Sequence, residues 1–457
     1  MSRTTALDAD HYVHTVRRHN SDPLTLAAAI AASGLLTDYV VYEQPGRWFV
    51  AGNPIGAVTV GPDRLHCTLG GDHTESWSGT PWAQIRAALD RAPVPKWRAY
   101  GWACFELYRP DTAAPDDVLA HFIVPGVEFE ITETTVHSRS YGTAFDLDLT
   151  GIVTATTIPT PVPVDEVDTA YLQRVRHALD RIHDGEFHKV IMSRRVDLPF
   201  AVDMPATYAT VRRANTPARS FLLDLGGWQA AGVSPETVLE ADATGLVTTQ
   251  PLAGTRARTG HADHDRALRD DLLTDPKEIY EHATSVRLAY DELDSVGSTT
   301  RVSEFLDIKE RGTVQHLGSR VETLLAADRT CWDALAAVFP AVTASGIPKA
   351  AACAAIGDLE PGTRGLYSGA VIRADSSGTL DAALILRAVY QRDGRSWLRA
   401  GAGVVAGSTP DREHEETCEK LACIAPYIVP RTPEADTCDL PGFFHESACR
   451  RRPPDGS

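Results

Sequence analysis

Four carboxylates and a lysine stand at spacings that could do chemistry. In Arg399–Lys420, RAGAGVVAGSTPDREHEETCEK, a strand-like run and a glycine turn lead into an acidic helix. Glu413, Glu416 and Lys420 fall at i, i+3 and i+7, so they share one helix face. Gly401 and Gly403 just upstream let the backbone approach a small ligand. Taken alone, the helix reads first as a solvated acidic face. A second helical stretch, DPKEIYEHATSVR, carries Glu278 and Glu281 at the same spacing. If the two helices face one another, four carboxylates surround one point, and burying them requires a cation. All-oxygen ligation without cysteine favours Mg²⁺ over zinc.

Two further groups suit proton transfer, and a third suits anion binding. Lys189, in the β-branched strand FHKVIMSRR, shares a face with Ile191 and Ser193. It reads either as a lysine that snorkels to solvent or as a desolvated base. Glu236 follows Ser-Pro at a strand junction, where a carboxylate also serves as a turn residue. Arg387 interrupts the apolar run ALILRAVY, and a buried guanidinium there needs a carboxylate from the protein or a ligand.

The elements that must position these groups are short strands with tight turns, alternating with helices. Asp275-Pro276 suits a helix N-cap followed by proline at N1. TAYLQRVRHALDRIHDGE reads as an amphipathic helix ended by Gly185. LYSGAV to RAGAGVV reads as a three-strand meander with Ser-Gly and Asp-Gly turns. GIVTATTIP reads as a strand, and the following PTPVPVDEVD as a proline-rich connection. Residues 1–20 read as a polar leader, 21–430 as one domain, and 431–457 as a loosely ordered tail.

Composition narrows the function. The chain has 457 residues, 43% apolar and 23% charged, which is ordinary for a globular protein. Its net charge of −17 argues against nucleic-acid and anionic-membrane partners. No apolar run reaches membrane-spanning length and the start lacks a secretory core, so a cytoplasmic location is expected. The eight scattered cysteines form no C-x-x-C pair and read as reduced thiols.

Together the segments FHKVIMSR, GVSPE, PLAGTRAR, DPKEIYEHATSVR, ERGTVQHLGS, FPAVTASGIPKAAA, RGLYSGAV, LILRAVY, RAGAGVV and EHEETCEKL resemble the chorismate-utilising enzymes. The resemblance is dense over 170–430, weak before it, and most similar to the salicylate synthases of siderophore pathways. It implies an α+β fold of two large antiparallel β-sheets stacked in a sandwich with helices outside. The site is then a cleft to one side of the sheets.

Carried to this chain, the resemblance implies that Glu281 and Glu416 hold Mg²⁺ directly, with Glu278 and Glu413 in support. Lys420 assists at the ring carboxylate of chorismate. Arg387, Tyr367 and the Gly401 and Gly403 backbone take the carboxylate of the enolpyruvyl arm. Lys189 would activate water for attack at C2, and Glu236 would protonate the departing C4 hydroxyl. His316 and Thr343 line the pocket, and Leu252, Gly254 and Thr255 shape its wall.

The implied product is isochorismate, then salicylate and pyruvate. Lys189 argues against the ammonia-using anthranilate synthases, and Ala253 in PLAGT against the aminodeoxychorismate synthases. No glutamine-amidotransferase segment is visible, so no such subunit is expected, and the chain is expected to act as a monomer. The remaining alternatives are an isochorismate synthase that stops at isochorismate and a non-catalytic chorismate-binding relative.

Overall fold

The computed structural model describes residues 3–5, 12–145, 158–312 and 314–432. The strand expected in GIVTATTIP falls at its edge and lies almost wholly outside these residues, as does the tail from residue 433 on.

Every named strand belongs to one hydrogen-bonded network of 22 strands, and all its pairings are antiparallel. The network folds into two layers. Two long strands, Arg47–Val60 and Ala120–Ile131, run through both, paired to each other along most of their length. Their first and second halves serve different neighbours. Tyr39–Gln44 pairs with Arg47–Ala51, whereas Arg64–Cys67 pairs with Val58–Val60. The register shifts between Pro54 and Gly56, opposite Pro125, where prolines cannot donate to the ladder.

Alternation along the strands sets the layers. Tyr42, Phe49, Phe221, Tyr390 and Trp397 of one layer meet Tyr100, Trp102, Val371 and Ala383 of the other. The residues between them point outward, as a period of two demands. Val41, Leu222, Val389 and Leu398 pack under the helices Pro23–Ala32 and Met204–Ala214. On the far side Ile372, Leu380 and Ala382 pack under Trp82–Leu89, Pro276–Asp294 and Cys331–Val338. Each large side chain so buried contributes roughly 1.5–3 kcal/mol. This is the expected α+β sandwich with helices outside.

Two sequence expectations change. Within the stretch read as a polar leader, Tyr12–Arg18 forms a strand paired with Thr135–Tyr141. Its polarity reflects a strand with one partly solvated face. The expected three-strand meander is four strands, and they do not share a layer. Ala370–Asp375 pairs with Leu380–Leu384 in one layer, and Ala388–Arg392 pairs with Arg395–Val405 in the other. The chain changes layers at Ile385–Arg387, where Arg387 takes a φ of 50°, left-handed and uncommon for a side chain of its size.

Candidate active site

The layer change at Arg387 has a twin. The strand Trp228–Ser234 lies in one layer and Thr237–Ala241 in the other, with Pro235 and Glu236 between them. The two breaks are stitched together: the Val233 N–H donates to the Arg387 carbonyl, and the Leu384 N–H to that of Glu236. Where the layers part, a cavity opens of about 790 Å³ counting its mouth. It is lined by Lys189, Glu236, Leu252, Gly254, Thr255, Glu281, His316, Thr343, Tyr367, Arg387, Gly401, Gly403, Glu416 and Lys420. Of the residues singled out from sequence, Glu278 and Glu413 alone stand outside this lining.

Lys189 opens the strand Lys189–Leu198, whose Val190 and Met192 pack under the helices Thr169–His183 and Lys349–Leu359. Its own face therefore turns to the cavity. Lys189 does not snorkel. It is 4% exposed, and its Nζ stands 2.8 Å from Glu281 Oε1. A Cβ added at Gly403 would lie 3.1 Å from that carboxylate oxygen and 3.3 Å from Lys189 Cε. At Gly401 it would lie 2.8 Å from Tyr367 Oη. The bare backbone at these two positions is what admits the side chains around it.

Glu236 is 3% exposed. One carboxylate oxygen accepts the Thr343 hydroxyl and the other the Leu252 N–H at 3.2 Å. Burial outweighs both hydrogen bonds and the nearby Lys189 and Arg387, and pushes its pKa up to about 8. It is therefore a carboxyl that keeps its proton at neutral pH.

Arg387 is buried, yet it forms no ion pair among the described residues. Its Nη2 donates to His316 Nε2 at 2.6 Å, and His316 Nδ1 lies 3.0 Å from Thr255 Oγ1. With Nε2 accepting, the imidazole hydrogen sits on Nδ1 and is given to Thr255. Burial and the Arg387 charge hold the His316 pKa well below its ordinary value, so the ring is neutral. The guanidinium charge thus faces the cavity without a protein carboxylate to balance it, the arrangement that an anionic ligand completes.

The acidic pairs converge from two helices, Pro276–Asp294 and Pro410–Leu421, as the E-x-x-E spacing requires. Asp275 caps the first, accepting the Lys277 and Glu278 N–H groups. Each of three carboxylates takes a protein cation. Glu281 has Lys189, Glu416 has Lys420 at 2.7 Å, and Glu278 has Arg256 at 3.3 Å. Lys420 also donates to the Gly401 carbonyl at 2.9 Å. Glu413 is fully buried, with Lys277 only at 4.0 Å, and neither of its oxygens has a hydrogen-bond partner among the described residues. Burial, with Glu416 beside it, pushes the Glu413 carboxyl up. Burial would raise Glu416 as well, but Lys420 outweighs it and holds that carboxyl down. As placed, no three acidic, histidine or cysteine side chains among the described residues already close on one point.

Sequence reasoning gave Arg399 no role, although it opens the glycine-rich run and lines the cavity. Its guanidinium donates to Glu360 Oε2 at 2.6 Å and to Ser193 Oγ at 2.9 Å, and lies over the Tyr367 ring. Nothing local distinguished it from an ordinary strand arginine.

Known proteins resemble this chain. Residues 66–426 match the model of the family described as chorismate binding enzyme. A salicylate synthase from Mycolicibacterium paratuberculosis is 43% identical over 90% of this chain and 94% of its own length. Component 1 of anthranilate synthase from Thermus thermophilus is 40% identical over 56% of this chain and 55% of its own. Among solved structures, the menaquinone-specific isochorismate synthase MenF of Escherichia coli superposes with a TM-score of 0.71. It shares 21% identity, covers 91% of this chain and 94% of its own, and shows the common fold. With the family model matched over most of its length and a relative 43% identical nearly end to end, the chain belongs to the chorismate binding enzymes.

Proposed function

We propose that this protein is a Mg²⁺-dependent salicylate synthase, converting chorismate to isochorismate and then to salicylate and pyruvate. The observation that carries the reading is a buried lysine and a buried carboxyl of pKa about 8 lining one cavity with an unpaired arginine. A ring hydroxyl exchange needs a base and an acid as separate groups, and the cavity supplies a lysine and a carboxyl. The salicylate synthase relative, matched nearly end to end, supports the same choice.

In this reading Lys189, once it has released the proton of its ion pair with Glu281, accepts the proton of the water that adds at C2. Glu236 gives its proton to the hydroxyl leaving C4, and Thr343 and the Leu252 N–H hold the carboxyl in place for that transfer. Arg387, oriented by neutral His316, takes the carboxylate of the enolpyruvyl arm, with Tyr367 and the backbone at Gly401 and Gly403 beside it. Lys420 stands near the ring carboxylate. Loss of pyruvate by pericyclic hydrogen transfer then needs positioning rather than another acid or base.

The donor set fits a divalent cation. It is oxygen only, and Glu413 holds two buried oxygens without partners among the described residues. Glu281 and Glu416 would hold Mg²⁺, with Glu278 and Glu413 behind them. When bound, the ion supplies positive charge to the substrate's ring carboxylate. Lys189 and Glu281 share an ion pair, so the base and the cation-binding carboxylates are linked. No helix among the described residues is long and apolar enough to cross a membrane. The reading extends to a monomeric, cytoplasmic enzyme that works without an amidotransferase subunit and feeds a siderophore pathway.

The test is to incubate the protein with chorismate and Mg²⁺, with a chelator control, and separate the products. Salicylate with pyruvate, lost on chelation, is the expected result, and Lys189→Ala and Glu236→Gln abolish it while remaining folded. Isochorismate without pyruvate moves the assignment to isochorismate synthase. No product at all leaves a chorismate-binding protein, and near-normal turnover by either variant overturns the residue roles.

A further inference from the structure

The two carbonyls at the step Pro235–Glu236 are held by different donors. That of Glu236 accepts the Leu384 N–H and, at 2.7 Å, the Ser234 hydroxyl. That of Pro235, one peptide bond from the proposed acid, accepts Nε of Arg311 at 3.0 Å. Arg311 closes the strand Arg301–Arg311, and the turn after it is fixed in place. The Gly312 N–H donates to Thr216 Oγ1 at 3.0 Å, and a Cβ added at Gly312, where φ is +63°, would come 2.5 Å from Asn215 Oδ1.

Pro235 and Glu236 line the cavity, whereas Arg311 does not, so it reaches the site only through that carbonyl and its charge. It is half-buried and forms no ion pair among the described residues. Its hydrogen bonds go to two backbone carbonyls, those of Pro235 and Glu310, each at 3.0 Å. Arg219, whose charge also acts on it, is held by Asp381 at 2.7 Å and Glu240 at 3.1 Å. Burial lowers the Arg311 pKa, Arg387 and Arg219 lower it further, and Glu236 acts the other way.

A neutral donor would satisfy the Pro235 carbonyl without this cost. A guanidinium set near two others, with no carboxylate of its own, is unfavourable until negative charge forms beside it. The charged groups that act on Glu236 are Lys189, Arg387 and Arg311, while His316 is neutral. Lys189 is paired with Glu281, and in the proposed reaction Arg387 takes a substrate carboxylate. Arg311 is the cation of the three with no other anion to serve. The negative charge it awaits is the one Glu236 acquires on giving up its proton.

Resting on the reading of Glu236 as the acid, we infer that Arg311 is its positioning residue: Arg311 fixes Glu236 through the Pro235 carbonyl and favours the carboxylate left once the proton has moved to the departing hydroxyl.

Arg311→Gln can still donate to the Pro235 carbonyl but carries no charge, whereas Arg311→Lys keeps the charge. With chorismate and Mg²⁺, Arg311→Gln is expected to lower kcat by about tenfold or more and to leave KM within about twofold, and Arg311→Lys to recover most of the loss. Because Glu236 acts with its proton on, kcat falls on the alkaline side as it ionises. Without the cation that ionisation is harder, so the fall moves to higher pH in Arg311→Gln, by roughly half a unit or more, and stays in place in Arg311→Lys.

Urea unfolding reads the same displacement without substrate. The pH at which Glu236 stops contributing stability, taken as the difference from Glu236→Gln, should rise when both proteins also carry Arg311→Gln. If the protein makes neither isochorismate nor salicylate, the proposed function fails, and the link between Arg311 and Glu236 stands or falls on these unfolding data. The inference is overturned if Arg311→Gln keeps the wild-type kcat, if its deficit lies in KM, or if neither pH dependence moves. It is equally overturned if Arg311→Lys is as impaired as Arg311→Gln, which would mean that Arg311 serves the fold alone. Should Arg311→Gln not fold, Arg311→Lys decides: kcat within about threefold of wild type with an unmoved alkaline fall supports the inference, and a larger loss or a displaced fall overturns it.

Discussion

Replacing Glu236 by glutamine should make the protein more stable as pH rises, while removing its proposed catalytic proton. Burial lifts this carboxyl from its ordinary 4.5 to about 8. Between those values the native chain holds a proton there that the unfolded chain has released. The group's contribution to stability is thus fully present below about pH 4.5 and is lost as pH rises through 8. Each unit of displacement is worth about 1.4 kcal/mol, so the full displacement amounts to at most about 5 kcal/mol. Relaxation around the ionised form reduces that, and about 2–5 kcal/mol is the range to expect. Glutamine mimics the protonated acid: its oxygen can accept the Leu252 N–H and its amide can donate to Thr343. Urea unfolding of both proteins, followed by tryptophan fluorescence at about pH 5 and about pH 9, isolates the effect, because other groups cancel in the difference. The variant should gain on wild type by that amount between the two pH values. A difference that does not change with pH would show that Glu236 titrates as an ordinary carboxylate and would remove it as the acid.

Other perturbations act on the surroundings of the site. Gly403→Ala places a methyl group 3.1 Å from Glu281 Oε1, so kcat/KM for chorismate should fall by about tenfold or more while the melting temperature moves little. Glu360→Gln should cost about 3–5 kcal/mol in calorimetric or urea unfolding, because it strands both Arg364 and Arg399. Burial alone would raise the Glu360 carboxyl, but these arginines hold it at about 2, so its contribution is present above about pH 4.5 and lost as pH falls toward 2. That acid-side loss should be missing from the variant. Mg²⁺ at a hundred times its Kd should stabilise wild type by about 2.7 kcal/mol, read as a rise in melting temperature. In Glu281→Gln the rise should be largely abolished; an unchanged shift would place the ion elsewhere.

The groups legible in the sequence are those whose positions follow from local periodicity. Glu278 and Glu281, and Glu413 and Glu416, fall on helix faces by spacing alone, and Asp275 with Pro276 marks where the first of those helices begins. Lys189 faces the cavity because Val190 and Met192 must face the other way. What the sequence did not disclose depends on contacts between distant segments. No local feature of ALILRAVY shows that it leaves one sheet layer and joins the other, and none assigns Arg399 to a cavity wall.

That layer change also explains why the most polar groups of the site lie in the most apolar surroundings. A strand that runs on within a layer has its backbone committed to its neighbours and its side chains committed to alternate faces. Where Pro235–Glu236 and Ile385–Arg387 step from one layer to the other, the alternation lapses and the layers separate. Side chains from both breaks then point into space that neither core fills. An apolar residue at Arg387 would suit the fold as well, and an unpaired guanidinium there is a standing cost to it. The cost is offset only when an anion occupies the cavity. Arg387→Met should therefore leave the free protein as stable as wild type or more so, yet abolish the stabilisation that chorismate gives to wild type. Thermal unfolding with and without chorismate measures both quantities. A variant that is destabilised when free and still stabilised by chorismate would mean that the arginine serves the fold rather than the ligand.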